Sequence, residues 1–279
     1  MVFEGYMLRH AGWVWAVKGC YHPEGYAVAL PRLVNGVKVK TLKEGMRLVR
    51  ERFPQYLRFV EEIGFEVPLV PLKESEVLNP FEVKPRGVLR DFLTFFKDAG
   101  VTGSYLYAGN GTDMDVLSLS EENVETLRNL RRAGLTSPLF HYSKGEVEGL
   151  LETDFATLKA YRLTEGTYMG IPYTFKIVRC EDPSPASGLT RVRGEVVITQ
   201  SVKPYSLPLK YLGRLDGEEV TVTSYRSRYS ELPPGTKLYV EGTVIRRREF
   251  LDLDLDLAEE VRILELGSWS ELSLSSSQV

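Results

Sequence analysis

The stretch that decides how this chain is read is Val101-Thr102-Gly103-Ser104-Tyr105-Leu106-Tyr107-Ala108-Gly109-Asn110-Gly111-Thr112-Asp113-Met114-Asp115-Val116. A Gly-Ser pair precedes a glycine-rich bend, and two aspartates follow at i and i+2 inside an apolar run. Side chains on a strand alternate faces, so this spacing puts Asp113 and Asp115 on one face and Met114 on the other. Two carboxylates converging on one point repel unless a proton or a cation lies between them, and hard oxygen ligands suit Mg²⁺ or Mn²⁺. Upstream, Gly103 permits close backbone approach, Ser104 offers a hydroxyl, and the amides opening the next turn can face a phosphate. An isolated Asp-x-Asp is more often a turn or a solvated strand face. The Gly-Ser pair and the flanking helices tip the balance toward a metal and phosphate site.

The flanks read as helix, strand, turn, paired acids, helix. From residue 86 to 98, Val88, Leu89, Phe92, Phe95 and Phe96 recur at helical spacing behind Pro85, and Gly100 serves as a stop. Val101-Thr102 reads as a short buried strand, and residues 114–119 continue the sheet with the acids at its start. Ser120-Glu121-Glu122 opens a second helix with Val124, Leu127 and Leu130 as its buried stripe up to Gly134. Ser143-Lys144-Gly145-Glu146 matches a capping box for a third.

Gly103-Ser104 followed by Asp113-x-Asp115 resembles the signature of the DNA polymerase beta-type nucleotidyltransferase superfamily. The chain also resembles a group of uncharacterised archaeal nucleotidyltransferase-domain proteins, through Ala16-Val17-Lys18-Gly19, His22-Pro23, Pro31-Arg32 and Arg52-Phe53-Pro54-Gln55-Tyr56. The superfamily signature spans residues 85–180, and the likeness to the archaeal group spans most of the chain. The resemblance implies a mixed sheet with flanking helices and transfer of a nucleoside monophosphate from an NTP to a hydroxyl of RNA, a protein or a small molecule. Asp113 and Asp115 would hold Mg²⁺ (or Mn²⁺), Gly103 and Ser104 would seat the outer phosphates, and Lys176 or Arg179 would neutralise developing charge. Such enzymes usually draw a third carboxylate from a neighbouring strand. The candidate strand, residues 171–179, carries no acid; Lys176 and Arg179 stand where one is expected, and Asp154, Glu181 and Asp182 lie nearby. The alternative is a noncatalytic nucleotide- or RNA-binding protein with a degenerate site.

The expected fold is α+β in three modules: a β-rich segment with one helix at 1–84, a nucleotidyltransferase-like core at 85–182, and a small antiparallel β-barrel at 189–267, followed by a tail at 268–279. In the first, Thr41-Leu42-Lys43-Glu44 opens a helix with Leu42, Met46, Val49 and Phe53 on one face. The proline- and serine-rich run 182–188 reads as a linker. In the third, Leu251-Asp252-Leu253-Asp254-Leu255-Asp256-Leu257 reads as leucines facing a core and aspartates facing water.

A net charge of −3 does not predict nucleic-acid binding. Locally, however, the last third carries Arg191-Val192-Arg193, Tyr225-Arg226-Ser227-Arg228-Tyr229 and Arg246-Arg247-Arg248. Arg226, Arg228 and Arg247 are the nucleic-acid candidates, although short basic runs on strands are more often solvated faces. Cys20 and Cys180 lack metal-ligand spacing and default to buried free thiols. Only three Gln and five Asn stand beside 73 charged residues, a thermophile-like usage under which a Cys20–Cys180 bridge stays open. No apolar run is long enough to span a bilayer and the first residues lack signal-peptide character, so the expectation is a cytoplasmic protein with no membrane partner. Of the histidines, His22 reads as a turn residue, while His10 and His141 have no visible triad around them.

Overall fold

A computed structural model describes residues 1–142, 147, 150–181 and 184–269. The first module contains β1 (Met7–His10), β2 (Trp13–Val17), β3 (Tyr26–Val34), β4 (Val37–Lys38), α1 (Leu42–Arg52), β5 (Leu57–Val60), β6 (Phe65–Pro71) and β7 (Glu76–Leu78). Its strands form an antiparallel sheet in the order β5-β6-β3-β2-β1-β7, with β4 on the end of β3. Asn35 and Gly36 both take positive φ in the two-residue turn from β3 to β4, the conformation such hairpin turns need. Helix α1 starts where its sequence predicts: Thr41 Oγ1 accepts the Glu44 amide at 3.1 Å. It lays Leu42, Met46 and Val49 against a core that includes Trp15 and Leu30.

The second module contains α2 (Gly87–Leu93), β8 (Ala99–Val101), α3 (Gly103–Ala108), β9 (Met114–Ser118), α4 (Asn123–Arg132), β10 (Thr136–Ser137), α5 (Glu152–Tyr161), β11 (Glu165–Tyr168) and β12 (Ile171–Val178). Its strands lie in the order β10-β11-β12-β9-β8. Strand β9 runs parallel to β12 and antiparallel to β8. Met114 and Val116 pack with Leu89 and Phe92 of α2 and Leu127 and Leu130 of α4 on one face of the sheet. The opposite face of β9, carrying Asp115 and Leu117, turns toward the first module, where a Cβ on Gly5 would stand 2.7 Å from Leu117.

Two expectations are corrected here. Helix α2 ends at Leu93 rather than 98, because the amides of Thr94, Phe95 and Phe96 turn back to carbonyls three residues earlier and Asp98 takes positive φ. Gly100 is not a helix stop but a residue of β8. It passes beneath Pro80, whose carbonyl oxygen would stand 2.5 Å from a Cβ there.

The third module contains β13 (Ala186–Lys203), β14 (Ser206–Leu207), β15 (Leu209–Leu215), β16 (Glu218–Ser224), β17 (Lys237–Arg247), β18 (Leu251–Asp254) and β19 (Glu260–Glu265). The short β14 joins β12 of the second module. The others pair in the order β13-β15-β16-β18-β17-β19, and β13 pairs again with β17, so the ladder of five strands returns on itself. All pairs are antiparallel except β16 with β18. Val196, Tyr211, Val222, Val240 and Leu253 fill the interior, and Phe155 and Leu158 of α5 join the same core, as do Leu117 and Val178.

Ala186–Gly188, expected in the linker, already belong to β13, where they pair with the end of β17. The aspartates of residues 251–257 do not face water. Asp252 is 5% exposed, accepting Thr223 Oγ1 at 2.6 Å and Arg247 Nε at 3.0 Å. Asp256 accepts Ser224 Oγ at 2.6 Å and the Tyr225 amide at 2.7 Å. The reason is that the end of β16, with Thr223, Ser224 and the Tyr225 amide, and the inward Arg247 lie against these carboxylates. Burial, together with Asp256 and Asp252, holds Asp254 well above the usual carboxylate range. Leu253 and Leu255 do face inward.

The cysteines are not free thiols: Cys20 and Cys180 form a disulfide with their Cα atoms 5.5 Å apart. It ties the loop after β2 to the end of β12. The expected capping box at 143–146, the candidate acid Asp182 and the tail beyond Trp269 lie outside the described residues. No helix among the described residues is long and apolar enough to cross a membrane.

Candidate functional site

Strand β8 ends at Val101, and the Thr102 amide donates to the Asp115 carbonyl at 2.9 Å, which sets the chain beside β9 as it turns into α3. Gly103 opens that helix with φ +63. A Cβ there would fall 1.7 Å from Asp115 Oδ2, so the carboxylate occupies the space that glycine leaves. Gly111 stands in the same relation to Ser104, whose Oγ would lie 2.6 Å from its Cβ. The Gly-Ser pair, the bend and the second acid therefore form one contiguous surface. Asp113 is exposed just ahead of β9, and Asp115 is half-buried on the strand.

Burial, and after it the neighbouring Asp113, raise the Asp115 pKa to about 6 against the pull of Lys176, Arg32 and Lys38. These cations identify what surrounds the acids. Lys176 lies on β12 two residues beyond Thr174, the partner of Asp115 in the ladder, so it shares the Asp115 face of the sheet. Arg32 comes from β3 and Lys38 from β4 of the first module. Tyr107 feels the same charges, its pKa raised by burial and by Asp115 and Asp113 against Arg32.

A second layer joins this cluster. Glu4, with 4% of its side chain exposed, has Oε1 3.8 Å from Nζ of both Lys18 and Lys176. Its Oε2 accepts the Gly19 amide at 3.0 Å. Lys18 keeps 35% of its side chain exposed, yet burial lowers its pKa, with Lys176, Arg32 and Arg226 adding to the effect against Glu4. Lys176, Arg32 and Lys38 thus stand beside the paired acids, and Glu4 links Lys176 to Lys18, which Arg226 of the third module also approaches. That arrangement suits a polyanion bridged to the carboxylates by a divalent ion.

Among the described residues no group of three or more His, Cys, Asp or Glu could hold a metal. Asp113 and Asp115 nonetheless fit Mg²⁺, which commonly takes one or two carboxylates and completes its shell with water and phosphate oxygens. Two of the candidates for a third acid are engaged elsewhere. Glu181 pairs with Lys203 at 3.0 Å and Lys210 at 3.7 Å. Asp154 accepts the Ile263 amide at 2.9 Å. Arg179 lies five residues past Thr174, roughly 16 Å along the strand direction, and is exposed beside the disulfide. Lys176 is brought to the acids; Arg179 is not.

Of the nucleic-acid candidates, Arg226 lies inward, its Nε 3.7 Å from Asp256, and adds to the cations around Lys18. Arg228 lends its carbonyl to the buried Arg162. Arg247 is a clamp: Nε donates to Asp252, while Nη1 donates to the carbonyls of Glu62 at 2.8 Å and Ser184 at 2.9 Å.

Sequence reading missed Glu4, Lys18, Arg32 and Lys38. Lys18 and Arg32 lie in two short blocks already singled out in the sequence, residues 16–19 and 31–32; Glu4 and Lys38 lie in none. No protein-family model matches the chain, and no curated protein matches it significantly in sequence.

Proposed function

We propose that this chain binds a nucleoside triphosphate with a divalent cation in a nucleotidyltransferase-type site. The observation that carries this reading is the fit of Asp115 against Gly103 among three cations, Lys176, Arg32 and Lys38, drawn from two modules. Asp113 and Asp115 hold Mg²⁺ or Mn²⁺, and Lys176, Arg32 and Lys38 take the phosphate charge that the metal leaves. The bound cation supplies charge neutralisation between phosphate oxygens and the two carboxylates. Lys176 stands on the strand where the superfamily places its third acid, which favours binding over turnover.

A second reading, transfer of a nucleoside monophosphate to a hydroxyl with release of pyrophosphate, draws on one observation. The Gly103-Ser104 pair, the bend through Gly111 and Asp115 lie on one contiguous surface, which would bring a metal and a phosphate together. The acceptor would be RNA, a protein or a small molecule.

Titration of each NTP with and without Mg²⁺ or Mn²⁺ tests the first reading. The ion should tighten binding in the native chain, and Asp113→Asn with Asp115→Asn should remove that dependence. Unchanged metal dependence in the double variant would overturn the site. Incubation with α-labelled NTP and RNA or protein tests the second. Transfer that falls at least ~10²-fold in the double variant, the scale for losing an electrostatic stabiliser, would establish the enzyme.

A further inference from the structure

The outer faces of β15 and β16 and the turn joining β17 to β18 enclose a cleft of 630 Å³. This lies within the roughly 300–1,000 Å³ of small-ligand sites, room for a short piece of strand rather than a duplex. Along β15, Tyr211 and Gly213 turn into the core while Leu212 and Arg214 turn out. Gly213 lets the strand lie close on β13, where a Cβ would stand 2.8 Å from the Val197 carbonyl oxygen. In the turn, Arg247 is drawn inward by Asp252, which leaves Arg246 and Arg248 exposed on either side of it.

Arg214, Arg246 and Arg248 form no salt bridge among the described residues, in contrast to Arg191 and Arg193 on the same module, which pair with Glu259 and Glu241. Phe250 completes the rim, half-buried, with Lys210 Nζ 5.9 Å from its ring centroid. Glu219 and Glu249 also line the cleft, so three unpaired arginines face two carboxylates. The excess is small and local. It suits a ligand whose negative charges are spaced along a chain and whose uncharged parts are flat enough to stack.

We infer that this cleft binds a short single strand of nucleic acid, with phosphates on Arg214, Arg246 and Arg248 and a base against Phe250. The connectivity agrees: five strands joined in this order, the third parallel to the fifth and the first closing on the fourth, correspond to the small barrel arrangement whose second and third strands and last turn serve oligonucleotides elsewhere. The inference does not rest on the acid pair.

The test is fluorescence anisotropy of the full chain with a labelled single-stranded oligouridylate between 50 and 200 mM salt. Three phosphate contacts at a slope of about −0.7 each make affinity fall roughly 18-fold over that range. Arg214→Ala with Arg246→Ala and Arg248→Ala should remove most of that salt dependence. Phe250→Leu, which keeps an apolar side chain, should weaken binding at least ~5-fold and leave the slope unchanged, the lower end of what one stacked base contributes. Asp113→Asn with Asp115→Asn should leave oligonucleotide binding intact, which separates this cleft from the nucleotide site. The melting temperature of the triple arginine variant should match that of the native chain, as those three side chains lie at the surface. No binding at 50 mM salt, equal binding of a duplex, or binding that survives both cleft variants would overturn the inference.

Discussion

Asp115 fills the space a side chain on Gly103 would need, its Oδ2 lying 1.7 Å from where that Cβ would sit. The glycine therefore serves the acid directly, in addition to the backbone conformation at φ +63. Gly103→Ala should cost roughly 1–2 kcal/mol for the left-handed backbone alone, more for the displaced carboxylate, and should lower metal-dependent nucleotide binding. Asp115→Ala in the same chain should recover part of the lost stability, because it removes the clash but not the backbone strain. Strictly additive losses in urea denaturation would show that the two residues do not compete for that space.

Bridging Cys20 to Cys180 closes a loop with a sequence separation of 160 residues. By chain entropy such a loop contributes about 5 kcal/mol at most. Reductant, or Cys20→Ser with Cys180→Ser, should lower the melting temperature by several degrees. The unfolded chain should show no thiol to a labelling reagent until it is reduced. Two reactive thiols in unreduced, denatured protein would exclude the bridge.

Arg247 and Asp252, 13% and 7% exposed, form a pair that also holds the turn near Glu62 to the third module. Removing the cation leaves the carboxylate buried and unpaired, a situation that costs about 3 kcal/mol or more. Arg247→Met should show that loss in urea denaturation, and Asp252→Asn added to it should restore a good part. The salt dependence of oligonucleotide binding should stay as in the native chain. A flattened slope in Arg247→Met would place this arginine on phosphate after all.

These interactions mark where the sequence was legible. Signals confined to a few neighbouring residues were readable: the Thr41–Glu44 cap, the Val124, Leu127 and Leu130 stripe of α4, and the alternation that sets Asp115 opposite Met114. The length of α2 was not, because its end depends on a tight turn that the run of phenylalanines masks. Partners distant in sequence were invisible as well. Arg247 meets Glu62 across 185 residues, and the cations around Asp115 arrive from β3, β4 and β12. The aspartates of residues 251–257 were misread for the same reason: alternation shows which residues share a face, not what covers it.

His22 gives the fold a pH dependence whose sign is fixed by its hydrogen bond. Its Nδ1 accepts the Val28 amide at 3.1 Å, which requires the neutral ring with the proton on Nε2. Burial lowers its pKa from 6.5 to about 4, with Glu4 opposing. Between those values the unfolded chain holds a proton that the folded chain lacks, so stability falls as pH falls through the window, by about 3 kcal/mol at most. Above pH 6.5 both states are neutral at this residue and the effect vanishes. His22→Gln removes the titration, whatever it does to stability at pH 7. Urea denaturation at pH 7, 5.5 and 4 should therefore show the native chain losing more stability than the variant, with most of the difference developing below pH 6. Parallel losses in the two chains would mean that the ring is protonated in the folded state and that the Val28 amide has another acceptor.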